Sequence, residues 1–140
     1  MTSYSITTRH KGNMAFETEI GNHKVVMDTL PDIGGDDSGA SPKKLLLGTL
    51  AACTGIDVVS LLNKMRAPFS DFEILTETDL TDEHPRVFKT IRITYRIRVA
   101  DEHREKVEKA VDMSLNKYCG ISAMLNKNSP MEHQIEYLRE

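Results

Sequence analysis

The residues best suited to chemistry in this chain of 140 residues are its two cysteines, Cys53 and Cys119. Cys53 lies within the long apolar run LLLGTLAACTGIDVVSLL (45–62), and Cys119 lies in SLNKYCGIS (114–122), at a predicted helix end. As thiolates, two cysteines can act as a nucleophile and as its disulfide partner. As thiols, they can equally pack inertly as small buried hydrophobes. The residues alone leave both interpretations open.

A reactive Cys53 requires a positive charge nearby. Burial raises the pKa of a thiol, and Asp57, one helical turn later on the same face, raises it further. The helix dipole contributes little in the middle of a helix, because its effect is confined to the terminal turns. The candidate cations are Arg9, His10, Lys11, Lys43 and Lys44. Sequence spacing does not decide among them.

No metal or cofactor site is predicted. The sequence has no C-x-x-C and no H-E-x-x-H, and its five histidines are scattered. Gly34-Gly35 is not followed by a G-x-G-x-x-G helix, so it predicts a turn and not a phosphate loop.

Length and composition predict one soluble domain over residues 1–140. The chain is 39% hydrophobic and 28% charged, which is typical of globular proteins. Its net charge of -3 argues against nucleic acid or a membrane surface as partner. The start, MTSYSITTRHKG, lacks the apolar segment of a signal peptide, so we expect a cytoplasmic protein.

The elements that must position the cysteines can be predicted from hydrophobic periodicity. NMAFETEI (13–20) alternates, with Met14, Phe16, Thr18 and Ile20 on one face, and HKVVMD (23–28) follows a Gly-Asn turn, which predicts a hairpin. A strand is also predicted at 4–9, and the Gly-rich segment 30–42 predicts a loop. Ser41-Pro42 then begins a helix that should run to about Arg66, before Pro68.

The second half predicts two strands, at 72–80 and 89–99, with Ile91, Ile93, Tyr95, Ile97 and Val99 facing inward. A helix follows Asp101, and Gly120 suits the position just after its end. A short third helix and an edge strand at 131–139 complete the predicted α+β order, β-β-β-α-β-β-α-(α)-β.

The helix that carries Cys53 is apolar on nearly every face, which predicts that it is buried on all sides. One small sheet cannot surround it. A second subunit could, so dimerisation is the natural inference.

The two cysteine contexts resemble those of the OsmC/Ohr family, the osmotically inducible and organic hydroperoxide resistance proteins. The resemblance rests on S-P-K-K-L-L-L-G-T-L-A-A-C-T-G-I-D-V-V (41–59) and K-Y-C-G-I-S (117–122), together with HKGNMAF (10–16) and GGDDSGASP (34–42). It covers nearly the whole chain.

This resemblance implies an intertwined homodimer with its sites at the subunit interface. It makes Cys53 the thiolate that attacks a hydroperoxide and becomes a sulfenic acid, and Cys119 the thiol that resolves it as a disulfide. A dithiol would then reduce that disulfide. It assigns Arg9 to stabilise the Cys53 thiolate, although His10 could align at that position instead.

The chain departs from the family pattern at the start of the cysteine helix. Family members commonly carry a glutamate there that orients the arginine, whereas Pro42 is followed by Lys43-Lys44. The lysines can be a solvated first turn or can stabilise the thiolate themselves, and Asp36, Asp37 or Asp57 could replace the carboxylate. Two functions are therefore predicted: a peroxidase for organic hydroperoxides, or a non-catalytic family member that binds a small apolar ligand at the dimer interface.

Overall fold

The computed structural model describes residues 2–139 and has the predicted α+β element order. The strands and helices are β1 (Thr7–Gly12), β2 (Ala15–Ile20), β3 (His23–Met27), α1 (Pro42–Lys64), β4 (Phe69–Leu80), β5 (Phe88–Val99), α2 (Arg104–Met113), α3 (Gly120–Asn126) and β6 (Met131–Tyr137). A π-helical segment, Ser114–Tyr118, joins α2 to the turn before α3. The chain forms two compact units, one up to Leu46 and one from Leu47. That they act as one domain stays a prediction.

The first unit contains the antiparallel sheet β1-β2-β3. Gly21, at a φ of +58°, makes the predicted turn between β2 and β3, which a glycine adopts without strain. The alternation in β2 is typical of a half-buried strand, but the chain by itself does not bury the apolar face of β2. Phe16 and Ile20 are 42% and 45% exposed, and on that face only Thr18 is buried, because the described residues leave the face open to solvent.

Asp28 organises the loop that follows β3. Its buried carboxylate accepts hydrogen bonds from the backbone N–H groups of Thr29, Asp36 and Ser38, at 2.7, 3.2 and 3.0 Å, and from the Ser38 hydroxyl at 2.6 Å. These donors, led by the Ser38 hydroxyl, lower the pKa of Asp28 from 3.8 to about 2. The loop contains the turn that Gly34-Gly35 predicts.

We expect acid to weaken this unit through Asp28. Because its pKa is lower in the folded state, Asp28 stabilises the fold above about pH 3.8, and this contribution is lost as the pH falls to about 2. Asp28→Asn should destabilise the protein at pH 6 and flatten the dependence of unfolding on pH between 4 and 2. Denaturant unfolding at several pH values measures this, with the exposed Asp32→Asn as control. Equal acid sensitivity in Asp28→Asn and wild type would contradict it.

The second unit contains the sheet β4-β5-β6, in which β5 is central. The five residues predicted to face inward on β5 are all buried, at 3% exposure or less: Ile91, Ile93, Tyr95, Ile97 and Val99. Thr94, which the alternation places outward, is also buried and accepts a hydrogen bond from Gln134 of β6 at 3.2 Å. The edge strand β6 is confirmed and runs parallel to β5.

Helix α1 buries one stripe and leaves the rest of its apolar surface partly or fully exposed. The buried residues, Leu50, Thr54, Val58 and Leu62, are spaced four apart. Ile56, on another face, is 69% exposed. A single chain therefore covers one face of α1, as predicted for one small sheet, and burial of the other faces by a second subunit stays a prediction. By length and mean hydropathy, 2.0, α1 could also cross a membrane, but its buried stripe belongs to the core of the second unit.

Candidate active site

The fold brings the two cysteines together. Cys53 projects from the middle of α1, and Cys119 lies between the π-helical segment and α3. Both are free thiols, and their Sγ atoms are 3.0 Å apart. The prediction that the two residues lie close enough to join is confirmed, since a disulfide of about 2.05 Å requires the sulfurs to approach by only about 1 Å.

Cys119 occupies a junction between two helical segments. Its backbone N–H donates to the carbonyl of Ser114 at 2.7 Å, which closes the π-helical turn. Its own backbone is extended (φ -76°, ψ 100°), and its Sγ accepts the N–H of Ser122 at 3.4 Å as the N-cap of α3. Gly120 directly follows Cys119, the C-cap of the π-helical segment, as predicted, but it is also the first residue of α3, because the chain changes direction at Cys119 itself.

Both sulfurs therefore face the start of α3. The backbone N–H of Ser122 reaches Cys119, and the backbone N–H of Ile121 hydrogen-bonds to Cys53. An N–H donor favours the charged form of a sulfur, so the bond from Ile121 lowers the pKa of Cys53.

Other effects outweigh this bond and raise the pKa of the Cys53 thiol above its ordinary value. Burial contributes most, the hydrogen bond with Cys119 comes next, and the negative charge of Asp57 adds to them. Cys53 thus needs an additional cation to become a thiolate near pH 7, as the sequence predicts.

Asp57→Asn should lower the pKa of Cys53, because it removes a nearby negative charge. Alkylation of Cys53 by iodoacetamide near pH 7 should accelerate several-fold, since a pKa change of one pH unit corresponds to about a tenfold change in thiolate at fixed pH. Glu73→Gln, on β4, is the matched control. Alkylation that is unchanged or slower would show that the Asp57 charge does not act on Cys53.

A chain of buried hydroxyl groups links α1 to the segment before Cys119. Thr54 Oγ1 lies 2.8 Å from the Tyr95 hydroxyl and 2.7 Å from Ser114 Oγ, and Ser114 donates to Asp57 Oδ2 at 2.8 Å. Burial raises the pKa of Tyr95 to about 12, so its hydroxyl stays protonated. Sequence analysis missed this group. Its signal was two polar residues, Thr54 and Ser114, on otherwise apolar helix faces.

Solvent reaches the two sulfurs unequally. Cys119 is 3% exposed, whereas Cys53 is half-buried. An incoming molecule therefore meets Cys53 first, which fits the predicted division into nucleophile and resolving thiol.

The predicted cations lie on exposed surfaces. Arg9, on β1, forms an ion pair with Glu19 at 3.0 Å, and His10 donates to the carbonyl of Asn13 at 2.6 Å. Lys43 and Lys44 are exposed in the first turn of α1, which carries no acidic residue. The role of Arg9 at Cys53 stays a prediction.

An apolar groove of about 710 Å³ runs along α1 beside β4. It is lined by Ala51, Ala52, Gly55, Ile56, Val59, Ser60, Asn63, Phe72, Glu73 and Ile74. Neither cysteine lines it, because Cys53 projects from a different side of the helix. Among residues 2–139, no group of three or more histidine, cysteine, aspartate or glutamate side chains is arranged to hold a metal ion.

The fold and the site define an α+β protein in which a cysteine in the middle of helix α1 lies beside a second cysteine at the start of α3. Residues 35–134 match the family model described as OsmC-like protein. A curated relative, protein YhfA of Escherichia coli strain K12, is 32% identical over 114 residues, 81% of this chain and 82% of that protein. The chain therefore belongs to the OsmC family.

Solved structures show the same fold. A hypothetical protein from Aquifex aeolicus VF5 superposes with a TM-score of 0.86 at 24% identity, covering 100% of this chain and 99% of that one. The organic hydroperoxide resistance protein OhrB of Bacillus subtilis superposes with a TM-score of 0.63 at 19% identity, covering 96% and 98%. At these identities the likeness establishes the fold, and not the activity.

Proposed function

We propose that this protein is a cytoplasmic thiol peroxidase that reduces organic hydroperoxides through Cys53 and Cys119 as part of a stress response. The observation that carries the proposal is the distance of 3.0 Å between the two sulfurs, one half-buried and one buried. Membership of a family that includes organic hydroperoxide resistance proteins supports it.

In the first step, the Cys53 thiolate attacks the terminal oxygen of the hydroperoxide. The O–O bond breaks, an S–O bond forms, and the alkoxide leaves and takes up a proton to become the alcohol. Cys53 is oxidised to a sulfenic acid. The bond from the Ile121 N–H supports the thiolate that starts this step.

In the second step, the sulfur of Cys119 attacks the sulfenic sulfur of Cys53. The disulfide forms, and the departing hydroxide takes the remaining proton and leaves as water. The sulfurs already lie 3.0 Å apart, so this step needs little movement. A dithiol then reduces the disulfide by exchange and is itself oxidised, which restores both thiols.

The proposed working form is an intertwined homodimer. Helix α1 exposes Leu46 and Ile56, at 39% and 69%, and the apolar groove lies beside Ile56. Apolar surface of this kind is typical of a protein interface. A second copy of the chain would cover it and surround the cysteine helix.

Ile56→Asp should weaken the dimer by about 30-fold or more, because disrupting a central apolar contact costs about 2 kcal/mol or more. Sedimentation velocity over a dilution series should give a dimer for wild type at micromolar concentration and dissociation of the variant at about 30-fold higher concentration than wild type. Val87→Asp changes an apolar residue of 39% exposure away from α1 and is the control. A wild-type chain that sediments as a stable monomer would contradict the proposed dimer.

The groove also favours a second candidate function, the binding of a small apolar ligand without redox chemistry. Its lining is mainly aliphatic and aromatic, as in sites for small apolar molecules. The exposed lysines at the start of α1, where the family commonly has a carboxylate, add to this alternative.

Steady-state consumption of cumene hydroperoxide with dithiothreitol separates the two functions. The peroxidase proposal predicts saturable turnover that needs catalytic amounts of protein. Binding of an apolar fluorescent probe in the groove, together with peroxide consumption no faster than that of dithiothreitol alone, would favour the alternative.

A further inference from the structure

Ser114 contacts both segments that carry the cysteines. It is fully buried, and its carbonyl accepts the backbone N–H of Cys119 at 2.7 Å. Its hydroxyl lies 2.7 Å from Thr54 Oγ1 and 2.8 Å from Asp57 Oδ2, both on α1. Thr54 directly follows Cys53 in the chain. One residue therefore connects the backbone of the resolving cysteine to the helix of the other.

The hydrogen bonds fix the orientation of the Ser114 hydroxyl. A carboxylate oxygen accepts and does not donate, so Ser114 gives its hydrogen to Asp57. Thr54 must then donate to Ser114 Oγ, and Tyr95 must donate to Thr54 Oγ1. Thr54 and Ser114 therefore each accept one hydrogen bond and donate one, and the Thr54 carbonyl, 3.5 Å from Ser114 Oγ, is a second and longer acceptor for the Ser114 hydroxyl.

We propose that Ser114 is a positioning residue that holds Cys119 within reach of Cys53. The inference rests on the proposed function, in which the two cysteines join and separate in each cycle. Ser114 touches neither sulfur and acts through the backbone of Cys119.

The π-helical segment explains why an anchor is needed. Ser114–Tyr118 is wider than an α-helix and is an uncommon conformation. If this segment rewound as α-helix, Cys119 would rotate by about 100° around the helix axis. The bonds from Ser114 to α1 oppose this rotation, because they hold the first residue of the segment in place.

The test is the equilibrium between the cysteine pair and a redox buffer of reduced and oxidised dithiothreitol. The effective concentration of the pair is the tendency of Cys53 and Cys119 to form their disulfide, measured against dithiothreitol. Ser114→Ala should lower it about tenfold or more, since reactions between positioned groups fall steeply with misplacement. Alkylation and mass spectrometry count the free thiols. Ser129→Ala is the matched control: Ser129 is 2% exposed and donates to the Phe88 carbonyl at 2.8 Å. It should leave the equilibrium unchanged.

Thr54 supplies a second test if Ser114→Ala fails to fold. Thr54→Val keeps the shape of the side chain and removes the hydroxyl, so it should lower the effective concentration in the same direction. Thr54→Ser keeps the hydroxyl and should restore the wild-type equilibrium. Equal effective concentrations in wild type, Thr54→Val and any folded Ser114→Ala would overturn the proposal, as would a wild-type pair that stays reduced at every buffer ratio.

The redox buffer contains no peroxide, so the result is independent of peroxidase activity. If the disulfide equilibrium depends on Ser114 but the protein shows no peroxide turnover, the proposed function is wrong and the positioning role of Ser114 is still supported.

Discussion

Cys53→Ser is expected to reduce peroxide turnover by about 1000-fold or more, because the loss of a nucleophile removes the reaction that all later steps require. Cys119→Ser should behave differently. Its Cys53 remains able to attack, so it should consume about one equivalent of hydroperoxide in a rapid burst and then stop, because no disulfide within the chain can form. Stopped-flow measurement with a small molar excess of hydroperoxide over protein resolves the burst from the arrest that follows it.

The comparison of Cys53→Ser with Cys119→Ser assigns the roles of the two cysteines more clearly than the loss of turnover in either variant alone. The unequal exposure of the sulfurs predicts the burst in Cys119→Ser and its absence in Cys53→Ser. Ser129→Ala, a buried change away from both thiols, is the control for general destabilisation. A burst in Cys53→Ser would reverse the assigned roles.

Arg9→Ala is the second change with a large expected effect. The Cys53 thiol has a raised pKa from burial, the bond with Cys119 and the charge of Asp57, so thiolate formation depends on a cation. If Arg9 is that cation, its removal should raise the pKa of Cys53 by about 1–3 pH units and slow alkylation near pH 7 by about tenfold or more. The exposed ion pair of Arg9 with Glu19 stabilises the fold little, so the variant should still fold.

The pH dependence of Cys53 alkylation measures this effect, with the exposed Arg86→Ala as control. Lys43→Glu restores a carboxylate where the family commonly has one, and should keep or increase turnover. If Lys43 or Lys44 stabilises the thiolate instead, the change of that lysine to glutamate should lose activity. Arg9→Ala should then leave the pKa of Cys53 almost unchanged. An alkylation pKa of Cys53 at or above about 8.5 in wild type, insensitive to these changes, would favour the ligand-binding function.

Local patterns predicted the elements of the fold well. Strand β5 has an apolar residue at every second position from Ile91 to Val99, and each of these predicted inward residues is buried. Ser41-Pro42 marks the start of α1 correctly. The helix ends at Lys64, two residues earlier than predicted, because Arg66 adopts a left-handed conformation with a φ of +55°.

Features that depend on distant contacts were not predictable. A glycine after an apolar stripe is typical of a helix end, and no local signal shows that Cys119 instead caps a new helix. The hydroxyl chain joins Thr54 to Tyr95 and to Ser114, which lie 41 and 60 positions after Thr54 in the sequence. Hydropathy predicts that one small sheet leaves part of α1 uncovered, but it does not show which stripe the chain buries. The pairing of the cysteines followed from the family resemblance and not from their spacing.

The most direct test of the proposed redox cycle is peptide mapping after one equivalent of organic hydroperoxide. The cysteine pair predicts the loss of both free thiols and one Cys53–Cys119 disulfide within a single chain, reversible by dithiothreitol. Cys53 oxidised beyond the sulfenic acid with Cys119 still a free thiol, or two thiols that stay reduced, would contradict it.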